Sequence, residues 1–142
     1  MKTSSLFSKE QDYSLRITAF LASLENGNFI SINRLSKKLH ISKIFAARII
    51  HKLKNQNITG SVQGKYGGVY LKANPKEISI WDVLTAVGFN TRLNDCMNDH
   101  FTCELMFGCK FHSFFLAQEK ILIENLKNQK ISDYVFRQFK QR

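Results

Sequence analysis

The chain has 142 residues, of which 44% are hydrophobic and 23% charged, with a formal net charge of +10. That length suits one domain with a modest core and, at most, an appended arm, in the balance of an ordinary globular protein. Nothing approaches the roughly 18 consecutive apolar residues of a membrane helix, and the short apolar stretch 17–24, preceded by Lys9, Glu10, Asp12 and Arg16, does not suit a secretory signal, so a cytoplasmic protein without membrane contact is expected.

In chain order, Tyr13, Ile17, Phe20, Leu21 and Leu24 recur at helical spacing, and the NGN at 26–28 stops that helix. A short second helix is predicted from Ser31 as N-cap through Ile32, Leu35 and Leu39. His40–Ile41 then turns the chain, and Ser42 caps a third helix. At 100° per residue, Phe45, Ala46, Ile49, Ile50 and Leu53 share one face of it, while Lys43, Ala47, Arg48, His51, Lys52 and Lys54 occupy the other. Ile44 breaks the pattern. Either the first turn frays and tucks it into the core, or it projects where it could touch a thymine methyl.

The charge is concentrated here. Residues 1–72 carry 12 Lys and Arg against 3 Asp and Glu, whereas residues 73–142 carry 9 against 8. No acidic residue lies between Glu25 and Glu77. A solvated face normally mixes its signs, so a segment this one-sided points to a polyanion, with nucleic acid first.

Two short helices joined by a tight turn, the second amphipathic and basic, read as a helix-turn-helix. After it, ITGSVQ and VYLKA are strand candidates, linked by GKYGG, whose three glycines suit a tight loop with positive φ. A hairpin in that position is a wing, with Lys65 and Tyr66 at its tip able to enter a minor groove or follow the phosphates. A phosphate-cradle reading of the glycines lacks a following helix and Walker spacing. The DNA face is then expected to comprise Ser31 and Arg34, then Ser42, Lys43, Ile44, Ala47, Arg48, His51 and Lys52, with Gln63, Lys65 and Tyr66 from the wing.

Pro75 marks the exit from the wing, and Ser79 with Asp82 forms a capping-box start to a helix ending near Gly88. Residues 89–108 look irregular. All three cysteines, Cys96, Cys103 and Cys109, fall in one stretch that ends with His112. Three thiols cannot close a disulfide framework, which leaves metal binding, redox chemistry or burial. Three cysteines and a histidine admit an iron–sulfur cluster or zinc, although the gaps of six and five residues lack the close pair of a zinc knuckle. His100 reads as a solvated loop histidine. From Phe111 the pattern is helical again, and Phe114, Phe115, Ile121, Leu122 and Leu126 make a stripe broader than one subunit's core needs, so a homodimer is expected. An enzyme is disfavoured: no C-x-x-C pair, nucleotide fingerprint or carboxylate dyad is present.

The segments DYSLRITAFLA, ISINRLSKKLHIS, GSVQGKYGGVYL and EISIWDVLTAV, followed by the three-cysteine loop, resemble in order the Rrf-two family of bacterial regulators, iron–sulfur members included. The resemblance implies a mainly α fold with a small β-hairpin wing: a winged helix-turn-helix over 1–88, a cluster-binding loop over 89–112, and a long C-terminal dimerisation helix and tail over 113–142. It implies a dimeric regulator, expected to be a repressor, binding a double-stranded DNA operator under control of a 2Fe–2S or 4Fe–4S cluster that senses nitric oxide, redox state or iron supply. Cys96, Cys103 and Cys109 match the cluster thiolates. His112 stands where IscR-like members place a histidine ligand, and Asp12 where NsrR-like members place a carboxylate that reaches the partner's cluster. Gln63 stands where many members have arginine, and Ala47 where IscR has a DNA-reading glutamate, so no operator sequence carries over. The alternatives are a thiol-switched or cofactor-free repressor, or a zinc-stabilised one.

Overall fold

The computed structural model describes residues 5–98 and 103–136. Five helices and one hairpin follow in the order α1 (Lys9–Ala22), α2 (Ile32–Leu39), α3 (Lys43–Asn55), β1 (Thr59–Val62), β2 (Gly68–Leu71), α4 (Ile80–Ala86) and α5 (Lys110–Asn128), with short 3-10 turns at Asp95–Met97 and Ile131–Tyr134.

Each early helix starts on a serine. Ser8 caps α1 in a reciprocal box with Gln11, while Ser31 and Ser42 accept from Arg34 N and Phe45 N as predicted. Ser79 does the same for α4, its amide and hydroxyl both donating to Asp82 Oδ2 at 2.8 and 2.7 Å. The first helix ends at Ala22, before the NGN, and Gly27 supplies a left-handed residue to the following turn.

The ends of α2, α3 and α4 share one device. His40, Asn57 and Gly88 are left-handed, and the next residue returns its N–H to a carbonyl in the last turn: Ile41 to Ser36, Ile58 to Leu53, Phe89 to Leu84. These bonds satisfy otherwise orphaned carbonyls. At α3 and α4 both residues of each bonded pair are buried, Ile58 with Leu53 and Phe89 with Leu84.

The core gathers around α1, which packs against α2, α3, α4 and β2. Ile17, Leu35, Ile49, Leu53 and Val83 are fully buried, and Phe20 nearly so; each such side chain contributes about 1.5–3 kcal/mol of transfer free energy. Ser14 and Thr18, buried on α1, donate to the carbonyls of Gln11 and Ser14. Ile131, beyond α5, joins this core at 1% exposure, and its 3-10 turn packs on α1. The backbone around it is bonded to the approach to α4: Ile80 N–H donates to Gln129 O and Ile131 N–H to Ile78 O.

A two-stranded hairpin is marginal alone, and this one is held three ways. Val69 is buried, Ile30 forms a further antiparallel bridge to Val69, and Lys54 Nζ donates to Ser61 Oγ at 2.7 Å. Of the three loop glycines only Gly64 has positive φ. Gly67 and Gly68 answer to close approach, because a Cβ there would strike the carbonyls of Val62 and Ile30. Among the described residues no helix is long and apolar enough to cross a membrane.

Candidate DNA-binding surface and cysteine segment

Helix α3 buries Ala46, Ile49, Ile50 and Leu53 and turns Lys43, Ile44, Arg48 and His51 outward. Ile44 is 84% exposed, so the first turn does not tuck it into the core. Ser42 caps the helix firmly and leaves no fray for that rotation. Ala47 and Lys52 lie half-buried at the margins of this face.

The fold brings the N-terminus of α2, the start of α3 and the wing around one open cleft of about 550 Å³, lined by Ser31, Lys43, Gln63 and Lys65. Asn33 and Ser61 also line it and were not expected from the sequence, since neither carries charge or interrupts a pattern. Tyr66 projects from the wing tip at 84% exposure, with Lys65 Nζ 5.6 Å from its ring centroid. Arg34 is exposed on α2. Two ammonium groups, exposed amide and hydroxyl donors and an accessible aromatic ring can together engage a phosphodiester backbone.

A carboxylate from outside the basic segment reaches α3. Glu10 Oε1 lies 2.9 Å from Lys52 Nζ and 3.4 Å from the Arg48 Nε. The guanidinium of Arg48 also lies 5.3 Å from the Phe45 ring centroid. Nothing in the sequence marks Glu10 for this role, because the partners are some forty residues away.

The thiols occupy the connection from α4 to α5. Cys96 lies in the 3-10 turn Asp95–Met97, which buries Met97 and is fastened by Arg92 Nη1 donating to Met97 O. Cys103 and Cys109 flank a pair of turns in which Met106 N–H donates to Cys103 O and Cys109 N–H to Met106 O. Cys109 is the N-cap residue of α5. All three are free and half-buried.

His112 Nδ1 lies 3.4 Å from Cys96 Sγ, so the predicted ligands from the two ends of the loop meet. Among the described residues no set of three Cys, His, Asp or Glu side chains forms a group able to hold a metal ion. Asp12 lies on α1 and pairs with Arg16 at 2.9 Å. His100 falls outside the described residues.

The broad apolar stripe of α5 separates into two faces. Phe115, Leu122 and Leu126 share a half-buried face, and α5 packs on α4 and on the Asp95–Met97 turn, with Lys127 over the Trp81 ring. Phe111, Phe114 and Ile121 stand out at 77%, 55% and 50% exposure, and no residue of α5 is fully buried.

Comparison with known proteins agrees with this architecture. Residues 7–137 match the Rrf2 family, described as "Iron-dependent Transcriptional regulator". The HTH-type transcriptional regulator NsrR of Shouchella clausii is 26% identical over 125 residues, covering 87% of this chain and 84% of that one. NsrR of Bacillus subtilis is 28% identical over 87 residues, which span 61% of this chain and 60%, under two thirds, of that relative's own length. Among solved structures, CymR, the global cysteine regulator of B. subtilis, superposes with TM-score 0.74 at 17% identity over 92% of this chain and 98% of that one. IscR of T. potens superposes with TM-score 0.69 at 19% identity over 90% and 84%. At such identities the superpositions speak for the fold, and the family match speaks for the class: this chain belongs to the Rrf2 family and is a winged-helix transcriptional regulator, not an enzyme.

Proposed function

We propose that the protein is a homodimeric, operator-binding regulator, expected to repress, whose affinity for double-stranded DNA is set by an iron–sulfur cluster held on the cysteine segment. The observation that carries this reading is the approach of His112 to Cys96 at 3.4 Å, within a segment whose three thiols are all free and half-buried. The donor chemistry fits: soft thiolates with one imidazole suit such a cluster. Cys96, Cys103 and Cys109 would hold it, with His112 as fourth donor, while Asp12 stays engaged with Arg16. When bound, the cluster supplies a redox- and nitric-oxide-sensitive centre.

The chain's own contacts suggest how the segment reaches the DNA surface. It joins α4 to α5, and α4 packs on α1, α3 and α5. Loosening the segment shifts α5 against α4 and so alters how two copies set their recognition helices. Half-sites about 34 Å apart tolerate little change in that spacing. The exposed Phe111, Phe114 and Ile121 of α5 support the dimer, because a stripe of large apolar side chains is normally covered. Lys43, Lys65, Ser31 and Gln63 around the cleft, with Arg48 and Lys52 on α3, would then meet the DNA backbone, and Ile44, Ala47 and His51 would face the bases, as suits a cytoplasmic regulator of the chromosome.

The test is protein purified without oxygen, with iron, acid-labile sulfide and zinc assayed on one sample. Iron and sulfide in matching amounts support the cluster, and their ratio per chain separates two irons from four. One zinc per chain would make the segment structural.

A second reading has its own support. The thiols do not converge on a single set of three donors among the described residues, and the fold matches a regulator named for cysteine. In that reading the same surface binds DNA and the free thiols themselves are the switch. Failure of cluster reconstitution, with operator binding that responds to oxidant, would favour it.

A further inference from the structure

The segment from residue 26 to 76 contains no Asp or Glu, yet its recognition helix is not free of negative charge. Glu10, in the first turn of α1, places Oε1 2.9 Å from Lys52 Nζ and 3.4 Å from Arg48 Nε. The three side chains differ in freedom: Glu10 is 20% exposed, against 39% for Lys52 and 60% for Arg48. Its anchorage is stiff. The capping box of Ser8 and Gln11 fixes the turn on which it sits, and a carboxylate is favoured at a helix N-terminus. The two cations stand on long flexible stems.

The contact is also imperfectly satisfied. Among the described residues Glu10 Oε1 is shut away from solvent and has no hydrogen-bond partner with proper geometry, so Lys52 and Arg48 meet it as charges only. A better anionic partner can therefore draw them away at small cost, and a DNA phosphate is such a partner.

Building on the DNA-binding reading above, we infer that Glu10 is an internal counter-anion that competes with DNA phosphates for Arg48 and Lys52 and so restrains binding to non-specific sequence. Duplex DNA must take both cations from the carboxylate before they contribute. A protein with a net charge of +10 would otherwise bind any duplex, and an operator offering base contacts can meet this cost while random sequence cannot.

The experiment measures binding of the full chain to a random-sequence duplex of about three helical turns (roughly 30 base pairs) over a range of salt concentrations. Glu10→Gln keeps the side-chain shape and removes the charge. It should tighten non-specific binding about two- to fivefold, the scale of an exposed ion pair, and steepen the log–log salt slope by about 1–2, as one or two more phosphate contacts would. Asp133→Asn, an equal charge change at an exposed site in the final 3-10 turn, should alter neither. With Arg48 and Lys52 both changed to Gln, adding Glu10→Gln should have no further effect. Unchanged or weakened binding by Glu10→Gln, or a matching gain from Asp133→Asn, would overturn the inference, as would an undiminished gain in the doubly neutralised background. If wild type and Glu10→Gln both ignore the duplex at every salt concentration, the DNA-binding reading falls and this inference with it.

Discussion

The imidazole of His112, in the first turn of α5, lies 3.4 Å through Nδ1 from the sulfur of Cys96, sixteen residues earlier in the 3-10 turn that follows α4. This contact ties the two ends of the cysteine segment together. If both side chains hold one cofactor, His112→Ala should lower its retention against a chelator by at least about tenfold, the low end for lost partners at metal sites. Iron and sulfide assays with the absorbance spectrum read the result. Full retention with an unchanged spectrum would instead assign the fourth position to Asp12 of a partner chain.

Ile44 stands on α3 with 84% of its surface exposed and contributes almost nothing to the core. Ile44→Ala should leave the unfolding free energy in urea within about 0.5 kcal/mol of wild type. Operator affinity should fall about five- to tenfold, on the order of 1 kcal/mol for one lost base contact, with non-specific binding unchanged. Leu53→Ala, on the opposite face and fully buried, should cost about 2–5 kcal/mol of stability. Equilibrium unfolding paired with fluorescence anisotropy on operator and random duplexes separates the two.

Phe114 and Ile121 are half or more exposed on the outer face of α5. Changing both to Glu should leave the helical circular dichroism unaltered, because neither belongs to the hydrophobic core of the single chain. Sedimentation equilibrium should then give the monomer mass where wild type gives the dimer. A dimer that survives both changes would move the interface elsewhere.

A side chain at Gly68 collides with the Ile30 carbonyl, the acceptor of the Val69 N–H that fastens the wing to the start of α2. Gly68→Ala should therefore cost about 1–3 kcal/mol, as overpacking does, and weaken DNA binding by releasing the hairpin. Urea titration checks the first effect, a DNA titration the second, and amide exchange at Val69 the release of the hairpin.

His40 ends α2 in a left-handed conformation, φ 54°, that a residue with a Cβ adopts at a cost of about 1–2 kcal/mol. Glycine removes the strain but loses about 0.4–1 kcal/mol through the greater freedom of the unfolded chain. His40→Gly should therefore raise stability by about 0.5–1 kcal/mol, visible as a higher melting temperature. A lower one would mean that the imidazole makes a contact worth more than the strain.

Local sequence accounts for much of the architecture. Ser31, Ser42 and Ser79 mark three helix starts because a hydroxyl at the cap meets amides two or three residues on. The period of Phe45, Ala46, Ile49, Ile50 and Leu53 assigns the inner face of α3 for an equally local reason. The start of α1 was open to the same reasoning, since Ser8 and Gln11 have capping-box spacing. The left-handed residues after α2 and α3 were less legible: His40 and Asn57 have no glycine to announce them.

By itself, then, the sequence determined the order and polarity of the helices, the basic recognition helix, the wing and the gathering of the thiols, because caps, periodicity and charge act within a few residues. Only the tertiary structure decided which distant groups meet. It set Glu10 against Lys52, sent Ile131 back into the core past α5, brought His112 to Cys96, and split the α5 stripe between α4 and solvent. Such contacts depend on how whole elements pack, and the periodicity of one helix does not say which neighbour will cover it.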